Sequence, residues 1–412
     1  MIKQIPVSDL RVGMFVNKLG GSWLDHPFWR GAFKVDSAAA LKKVQDSGIL
    51  EVWIDTAQGP DVAEPVAEAA IPDQVEHALV EDATLAEDDP PLPERVAMER
   101  EAARATKILG ASMKAVTALF EQVRHGRALS VDQVMPMVDE IAESVLRNPG
   151  VLIALARLRR KDHYTYMHSI AVGALMVALG RQLGLPPRAL REAGLAGLLH
   201  DIGKVHIEDA LLNKPGRLED HEFEVLRRHA HMGYETLQAG GGAEDAVLDV
   251  CRHHHERFDG TGYPDRLAGD NISLYARMAA VCDVYDATTS NRSYKVAWQP
   301  AYALRRMTEW RATQFDPAIF HAFVKTVGIY PTGTLVRLAS NYLAVVLDQS
   351  GETLLTPRVK VFYSIPNKRR VPPRVVDLAQ APGERILGFE DPAAWGITDL
   401  ENLWAGMNTG RK

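Results

Sequence analysis

Gly197-Leu198-Leu199-His200-Asp201-Ile202-Gly203-Lys204 is the stretch on which the reading of this chain turns. The apolar residues Leu190, Leu195, Leu198 and Leu199 lead into an adjacent His and Asp, and a Lys follows four residues after the His. Imidazole nitrogens and carboxylate oxygens are the donors that suit divalent iron, manganese and zinc. An adjacent His and Asp can hold one metal jointly, and the second oxygen of the Asp is free to bridge to another. A His-Asp pair alone is common by chance. Here His168 precedes it, and His229, His254, His255 and Asp283 follow.

The surrounding residues extend the pattern. Lys214-Pro215-Gly216 comes next, then His229 with Gly233, then His254-His255-Glu256-Arg257-Phe258-Asp259-Gly260-Thr261-Gly262-Tyr263-Pro264. Asp283-Val284-Tyr285-Asp286-Ala287, Thr289-Ser290-Asn291-Arg292-Ser293-Tyr294-Lys295 and Phe315-Asp316-Pro317 complete the series. In this order, over residues 150–331, the chain resembles an HD-GYP domain, a bacterial branch of the HD phosphohydrolases. The resemblance implies an all-helical catalytic domain that hydrolyses cyclic di-GMP to linear pGpG and, in many members, onward to GMP. Two alternatives stay open: a cyclic di-GMP-sensing and protein-interaction module with little turnover, and an HD phosphohydrolase acting on another nucleotide.

The same resemblance implies a binuclear divalent metal centre, of iron or alternatively manganese. His168, His200, Asp201 and Asp283 would hold one metal, with His229, His254 and His255 serving the other side. Two metals can stabilise charge on both the attacking and leaving oxygens of a phosphodiester. That chemistry needs a bridging carboxylate, for which Asp201 is the natural choice. Lys204 matches a catalytic position whose ammonium contacts the scissile phosphate, and Arg292 and Lys295 match substrate-phosphate positions. Tyr263 belongs to a glycine- and proline-stiffened loop that lines the guanine pocket, meets a partner or is purely structural. One departure stands out. Some members carry a Glu one turn before the first His ligand, helping to hold a third metal. Here that position is Tyr164, which argues for two metals and casts doubt on cleavage of pGpG.

Several residues compete with the chosen ligands. His231 lies two residues after His229 but lacks the spacing to Gly233. His253 adjoins the His254-His255 pair as a bystander, and Asp286 competes with Asp283. His163, His206, His221 and His321 read as surface or structural. Cys251 and Cys282, the chain's two cysteines, read as reduced core thiols rather than thiolate ligands or a disulfide.

A chain of 412 residues with 46% hydrophobic and 24% charged residues is ordinary for a soluble multidomain protein. Its net charge of −6 argues against binding a nucleic acid polymer. The apolar run Ile170–Gly180 falls short of a membrane span, and the amino terminus lacks a signal region, so a cytoplasmic enzyme is expected.

The fold class is mainly α: a helical HD-GYP domain over 150–331, with a small α+β domain over 1–60 and a short β-rich extension over 332–412. Leu10–Val16 and Leu50–Asp55 read as strands flanking a short helix at Ala38–Ser47, beside an aromatic loop of Trp23, His26, Pro27, Phe28 and Trp29. This first domain reads as a structural cap or as a sensory or partner-docking module. An acidic, proline-containing linker follows over 61–93. A helical connector over 94–149 comes next, its second helix capped by Ser130. The connector docks on the catalytic domain or forms a homodimer beside it, and signalling proteins are candidate partners. After Pro331, Thr334–Leu338, Tyr342–Leu347 and Val359–Tyr363 read as strands of a terminal appendage.

Overall fold

The structure, a computed structural model, describes residues 2–7, 10–19, 33–37, 41–42, 44, 51–55, 98–158, 164–214, 218–290, 297–349 and 353–405. The aromatic loop at 23–29 and the acidic linker lie outside the described residues, as do Arg292, Lys295 and His163. The chain divides into two compact units, residues 1–70 with 216–219 and residues 71–215 with 220–412.

The first unit carries a four-stranded antiparallel sheet of β1 (Ile2–Pro6), β2 (Phe15–Leu19), β3 (Phe33–Lys34) and β4 (Glu51–Asp55), in the order β1-β4-β2-β3. Val52 and Ile54 are buried while Trp53 and Asp55 are half-exposed, the period-two alternation of a strand with one covered face. The expected strand at Leu10–Val16 is largely a turn. Gly13 takes a φ of 102° and donates its N–H to the Val35 carbonyl, so β2 starts only at Phe15. Of the expected helix at 38–47, Leu41, Lys42 and Val44 are described, and all three are helical.

Helices dominate the second unit: α1 (Met98–Arg124), α2 (Met135–Arg147), α3 (Pro149–Leu158), α4 (Tyr164–Gln182) and α5 (Pro187–Leu199). Shorter ones follow: α6 (Asp209–Leu212), α7 (Asp220–Arg227), α8 (His229–Gly240) and α9 (Asp245–His253), then α10 (Leu274–Thr288), α11 (Pro300–Thr308) and α12 (Pro317–Val327). Ser130 begins a 3-10 turn at Val131–Gln133 without a side-chain capping bond, so the expected cap is absent and α2 starts at Met135.

The helices that carry the site cross at glycines. A Cβ on Gly197 of α5 would lie 2.9 Å from Gly173 Cα of α4, closer than packed atoms allow. At Gly203 it would lie 1.9 Å from the His229 carbonyl oxygen. The motif glycine therefore lets the backbone after His200-Asp201 rest directly on the start of α8. This crossing sets the distance between two stretches that carry candidate metal donors.

Five strands close the chain: β5 (Leu335–Leu338), β6 (Tyr342–Asp348), β7 (Arg358–Ser364), β8 (Arg369–Asp377) and β9 (Ile386–Phe389), ordered β8-β7-β6-β5-β9. Its buried Leu335, Val336, Leu343 and Val345 belong to one hydrophobic cluster with Phe320, Phe323 and Ile170 of the helices. The extension is thus packed into the core rather than appended to it. A short helix, α13 (Leu400–Ala405), adds the buried Trp404 to the same cluster.

Candidate metal centre

His168 lies in α4, and His200 directly follows α5 with Asp201 beside it. His229 opens α8, His254 and His255 follow α9, and Asp283 lies in α10. The fold gathers all seven into two groups, one of Asp201, His229, His254 and His255 and the other of His168, His200 and Asp283, each with donor atoms within 4.8 Å of one another. Asp201 faces both. Its Oδ1 is 3.3 Å from His229 Nε2 and 3.7 Å from His254 Nε2. Its Oδ2 is 3.3 Å from His200 Nε2 and 3.7 Å from His168 Nε2.

The hydrogen bonds behind the rings decide what the inward nitrogens offer. A carbonyl oxygen only accepts, so a ring nitrogen bonded to one must carry the proton. His200 Nδ1 donates to the Gly197 carbonyl at 2.7 Å, and His229 Nδ1 donates to that of Leu226 at 2.6 Å. His254 Nδ1 donates to the carbonyls of Val250 and Cys251 at 3.0 and 3.1 Å. In the neutral rings every Nε2 is then a bare lone pair aimed at the cluster. His229 and His254 bring two such atoms to 3.3 Å of each other. Among the described residues, His200 Nε2 and Asp201 Oδ1 have no hydrogen-bond partner although both are buried. Facing lone pairs and the unpartnered Asp201 Oδ1 repel in a largely buried site, and cations between them remove the conflict. The residues therefore fit a metal centre, with the outward nitrogens anchored as metal-bound histidines require.

Protonation follows the same geometry. Burial, reinforced by the neighbouring imidazoles His255 and His200, holds the His254 ring well below the usual histidine range. Burial and the nearby His229 bring His255 down to about 3. Both rings are neutral at physiological pH, the form in which imidazole can bind a metal. Burial works against the charged form of His168, yet hydrogen bonds to Asp283 and Asp286 raise it above its ordinary value. Burial opposes ionisation of Asp201, and Lys204 and His200 overcome it, so the carboxylate stays charged.

Comparison with known families matches residues 2–134 to a domain of unknown function, DUF3391, and residues 148–319 to an HD domain. Over 409 residues, 99% of this chain and 96% of the relative, it is 52% identical to the cyclic di-GMP phosphodiesterase PA4108 of Pseudomonas aeruginosa. The chain belongs to the HD-GYP phosphodiesterase family. The cyclic di-GMP phosphodiesterase response regulator RpfG of Xanthomonas campestris is 38% identical over 205 residues, 48% of this chain and 53% of RpfG. A 3′3′-cGAMP-specific phosphodiesterase 1 of Vibrio cholerae is 39% identical over 135 residues, 33% of this chain and 31% of that enzyme.

In this HD-GYP domain the competing residues fall outside the cluster. His231 is exposed and faces Glu235 at 3.2 Å. His253 bonds Asp249 at 2.7 Å and Asp265 at 2.9 Å, and so helps tie down the loop that carries Tyr263. Cys251 is a buried thiol that donates to the His200 carbonyl and belongs to neither donor group, and burial pushes its ionisation up. Burial likewise raises Cys282. Lys204 belongs to a 3-10 turn, Ile202–His206, rather than a continued α-helix, and its ammonium pairs with Asp201 Oδ2. The Tyr263 ring lies 4.8 Å from His255 at 31°. Tyr164 opens α4, but its side chain lies outside the described residues.

Asp286 is the functional residue that sequence reading set aside. Its Oδ2 accepts from His168 Nδ1 at 2.6 Å, while Asp283 Oδ1 lies 2.9 Å from His168 Nε2. The two carboxylates do not compete: they flank opposite edges of one imidazole. Their three-residue spacing on α10, which puts both on one helix face, was the available signal.

Proposed function

We propose that the chain hydrolyses cyclic di-GMP to pGpG at a binuclear divalent centre, most readily with iron and alternatively with manganese. The observation that carries this reading is Asp201, whose two oxygens address separate groups of inward-facing donors. His168, His200 and Asp283 would hold one metal, His229, His254 and His255 the other, and Asp201 both. Two bound cations supply Lewis acidity toward the phosphodiester and lower the pKa of an attacking water.

The chain's own groups do the rest. Asp201 and Asp283 bring negative charge that fixes cations in a buried site. Lys204 holds an ammonium beside Asp201 and can exchange that contact for a phosphate oxygen of the substrate. Arg292 and Lys295 are proposed to bind substrate phosphate, and Tyr263 walls the site beside His255. Passage from pGpG to GMP is a second, slower step in this reading, because Tyr164 replaces a carboxylate. A sensor without turnover has no use for seven such donors. Among the described residues no helix is long and apolar enough to cross a membrane. We place the enzyme in the cytoplasm, where its two buried thiols stay reduced. The divisions at residues 60, 93, 149 and 331 are kept as proposed domain boundaries, with the connector docking on the catalytic domain or dimerising beside it and the first domain as a structural cap or a docking module for signalling proteins.

The test is an anaerobic turnover assay of ferrous- and manganese-loaded protein on cyclic di-GMP and pGpG, with metal content measured in parallel. Metal-dependent loss of cyclic di-GMP and formation of pGpG is expected. Inertness of both loaded forms toward cyclic di-GMP would overturn the reading.

A further inference from the structure

The seven proposed ligands are not equally covered. The His255 and Asp283 side chains expose 19% and 11% of their surface. The other five expose 2% or less. A substrate therefore reaches the cluster past His255, and the residues beside that ring line its approach. Tyr263 lies against His255, and the Arg227 guanidinium carbon lies 4.4 Å from the centre of the Tyr263 ring. The same carbon is 5.4 Å from the Phe223 ring, whose plane stands at 88° to that of Tyr263. Two aromatic rings thus hold a planar cation at the rim of the centre. Its side chain is 27% exposed, and Nη1 donates to Glu224 Oε1 at 2.9 Å, the one hydrogen bond of this guanidinium among the described residues. Most of its five N–H groups remain available.

The Glu224 contact narrows what the pair can bind. A phosphate approaching Arg227 would meet the Glu224 carboxylate at the same place, so the local charge is already balanced. A neutral partner with an acceptor next to a donor suits it better. Guanine has that order on its edge: O6 accepts and the adjoining N1–H donates, with N7 as a second acceptor for an arginine fork. Adenine reverses the first two, presenting an N6 amino donor beside the N1 acceptor. We infer that Arg227 and Glu224 form a guanine-reading pair, with Arg227 bonding O6 and N7 and Glu224 accepting from N1–H, and that this pair favours guanine over adenine in a cyclic dinucleotide. The inference rests on the phosphodiesterase reading above and adds a specificity determinant to that site.

The test measures kcat and KM on cyclic di-GMP and cyclic di-AMP with the manganese-loaded full chain. Arg227→Ala should lower the guanine-over-adenine ratio of kcat/KM about 10- to 100-fold, the value of one bidentate base contact. The change should lie in KM for cyclic di-GMP, with metal content as in wild type. Arg227→Lys should not restore the ratio, because a point charge lacks the fork. Glu224→Gln, an exposed substitution, should move the ratio in the same direction by a smaller factor. An equal rise in KM for both dinucleotides would mean a phosphate contact and would overturn the inference, as would unchanged constants in both variants. Wild-type protein that cleaves bis(p-nitrophenyl) phosphate but neither dinucleotide would overturn the cyclic di-GMP reading and this inference together. A lost contact with cyclic di-GMP turnover intact would sink the inference alone.

Discussion

The two donor groups that meet at Asp201 share one kind of anchor and differ in another. In the first, His168 is gripped by a side chain from another helix, Asp286 of α10, and Asp283 from the same helix faces its other nitrogen. In the second, His229 and His254 are fixed by carbonyls of their own local backbone, at Leu226, Val250 and Cys251. His200 of the first group is held in the same way, by the Gly197 carbonyl, so the first group joins a tertiary anchor that brings in carboxylate charge to a local one. The second is built on local anchors, and its most exposed member, His255, opens toward Tyr263. One point follows for both: a ligand's identity lies in its own residue, whereas its orientation comes from partners that a ligand motif does not name.

The largest effect should come from the residue common to both groups. Asp201→Ala removes the carboxylate that addresses both sides, and hydrolysis should fall to the level of chelator-stripped protein with bound metal reduced. Metal analysis beside a turnover assay checks it. Retained activity would show that the two groups do not share Asp201. Wild-type protein stripped by a chelator should lose activity and regain it with ferrous iron or manganese, whereas the variant should not recover.

Asp286→Asn probes the first group alone. The amide is nearly isosteric and keeps one oxygen, but it cannot supply the charge that orients His168 and strengthens its basicity. Partners of this kind change metal affinity or activity by about 10- to 100-fold. The expected result is loss of the first metal at chelator concentrations that leave the second in place. Equal loss of both would mean that the groups are coupled more tightly than their separate anchors suggest.

The seven candidate donors were legible because each is a chemically distinctive side chain at a fixed place in a motif series, and the fold brings all seven together. The anchors were not. A backbone carbonyl leaves no trace in residue identity, and Asp286 looked like a rival of Asp283 until the helix face showed that one imidazole takes both. Gly203 and Gly233 were legible as motif letters, but their cause, a backbone-on-backbone crossing, needs the fold. In the C-terminal sheet, the three strands read from sequence each contain buried apolar residues. β8 escaped because it is an edge strand, mostly exposed and containing Pro372 and Pro373, a composition that reads as loop. β9 escaped because it is only four residues long and partly exposed.

A smaller effect is expected from residues assigned to neither group. The double variant Arg292→Ala and Lys295→Ala should weaken binding of a nonhydrolysable cyclic di-GMP analogue about tenfold or more, as expected for lost charge-assisted hydrogen bonds. Bound metal should stay constant. Calorimetric titration separates the two readouts, and unchanged affinity would mark both cations as surface residues.

The smallest expected effect concerns the loop beside the second group. Arg252 donates to Asp265 through two nitrogens, at 2.7 and 3.0 Å, and His253 adds a third contact at 2.9 Å. The Arg252 bonds, reinforced by His253, hold the Asp265 carboxyl down at about 2. A depressed carboxyl stabilises the fold fully above its unfolded value of about 3.9, and that contribution is lost as pH falls through the folded value. Asp265→Asn should therefore lower Tm by no more than a few degrees at pH 7, since the site is partly exposed and screened. The gap between wild type and variant should hold from pH 6 to pH 5, where His253, raised by its Asp249 and Asp265 contacts, keeps its charge, and narrow below about pH 4, where the wild-type carboxyl begins to lose its charge advantage. Thermal melts across that range read the gap directly. A gap that widened on acidification would mean that Asp265 is not held as an anion by Arg252, and that the loop carrying Tyr263 is fixed by other contacts, Glu256 to the Asp265 amide first among them.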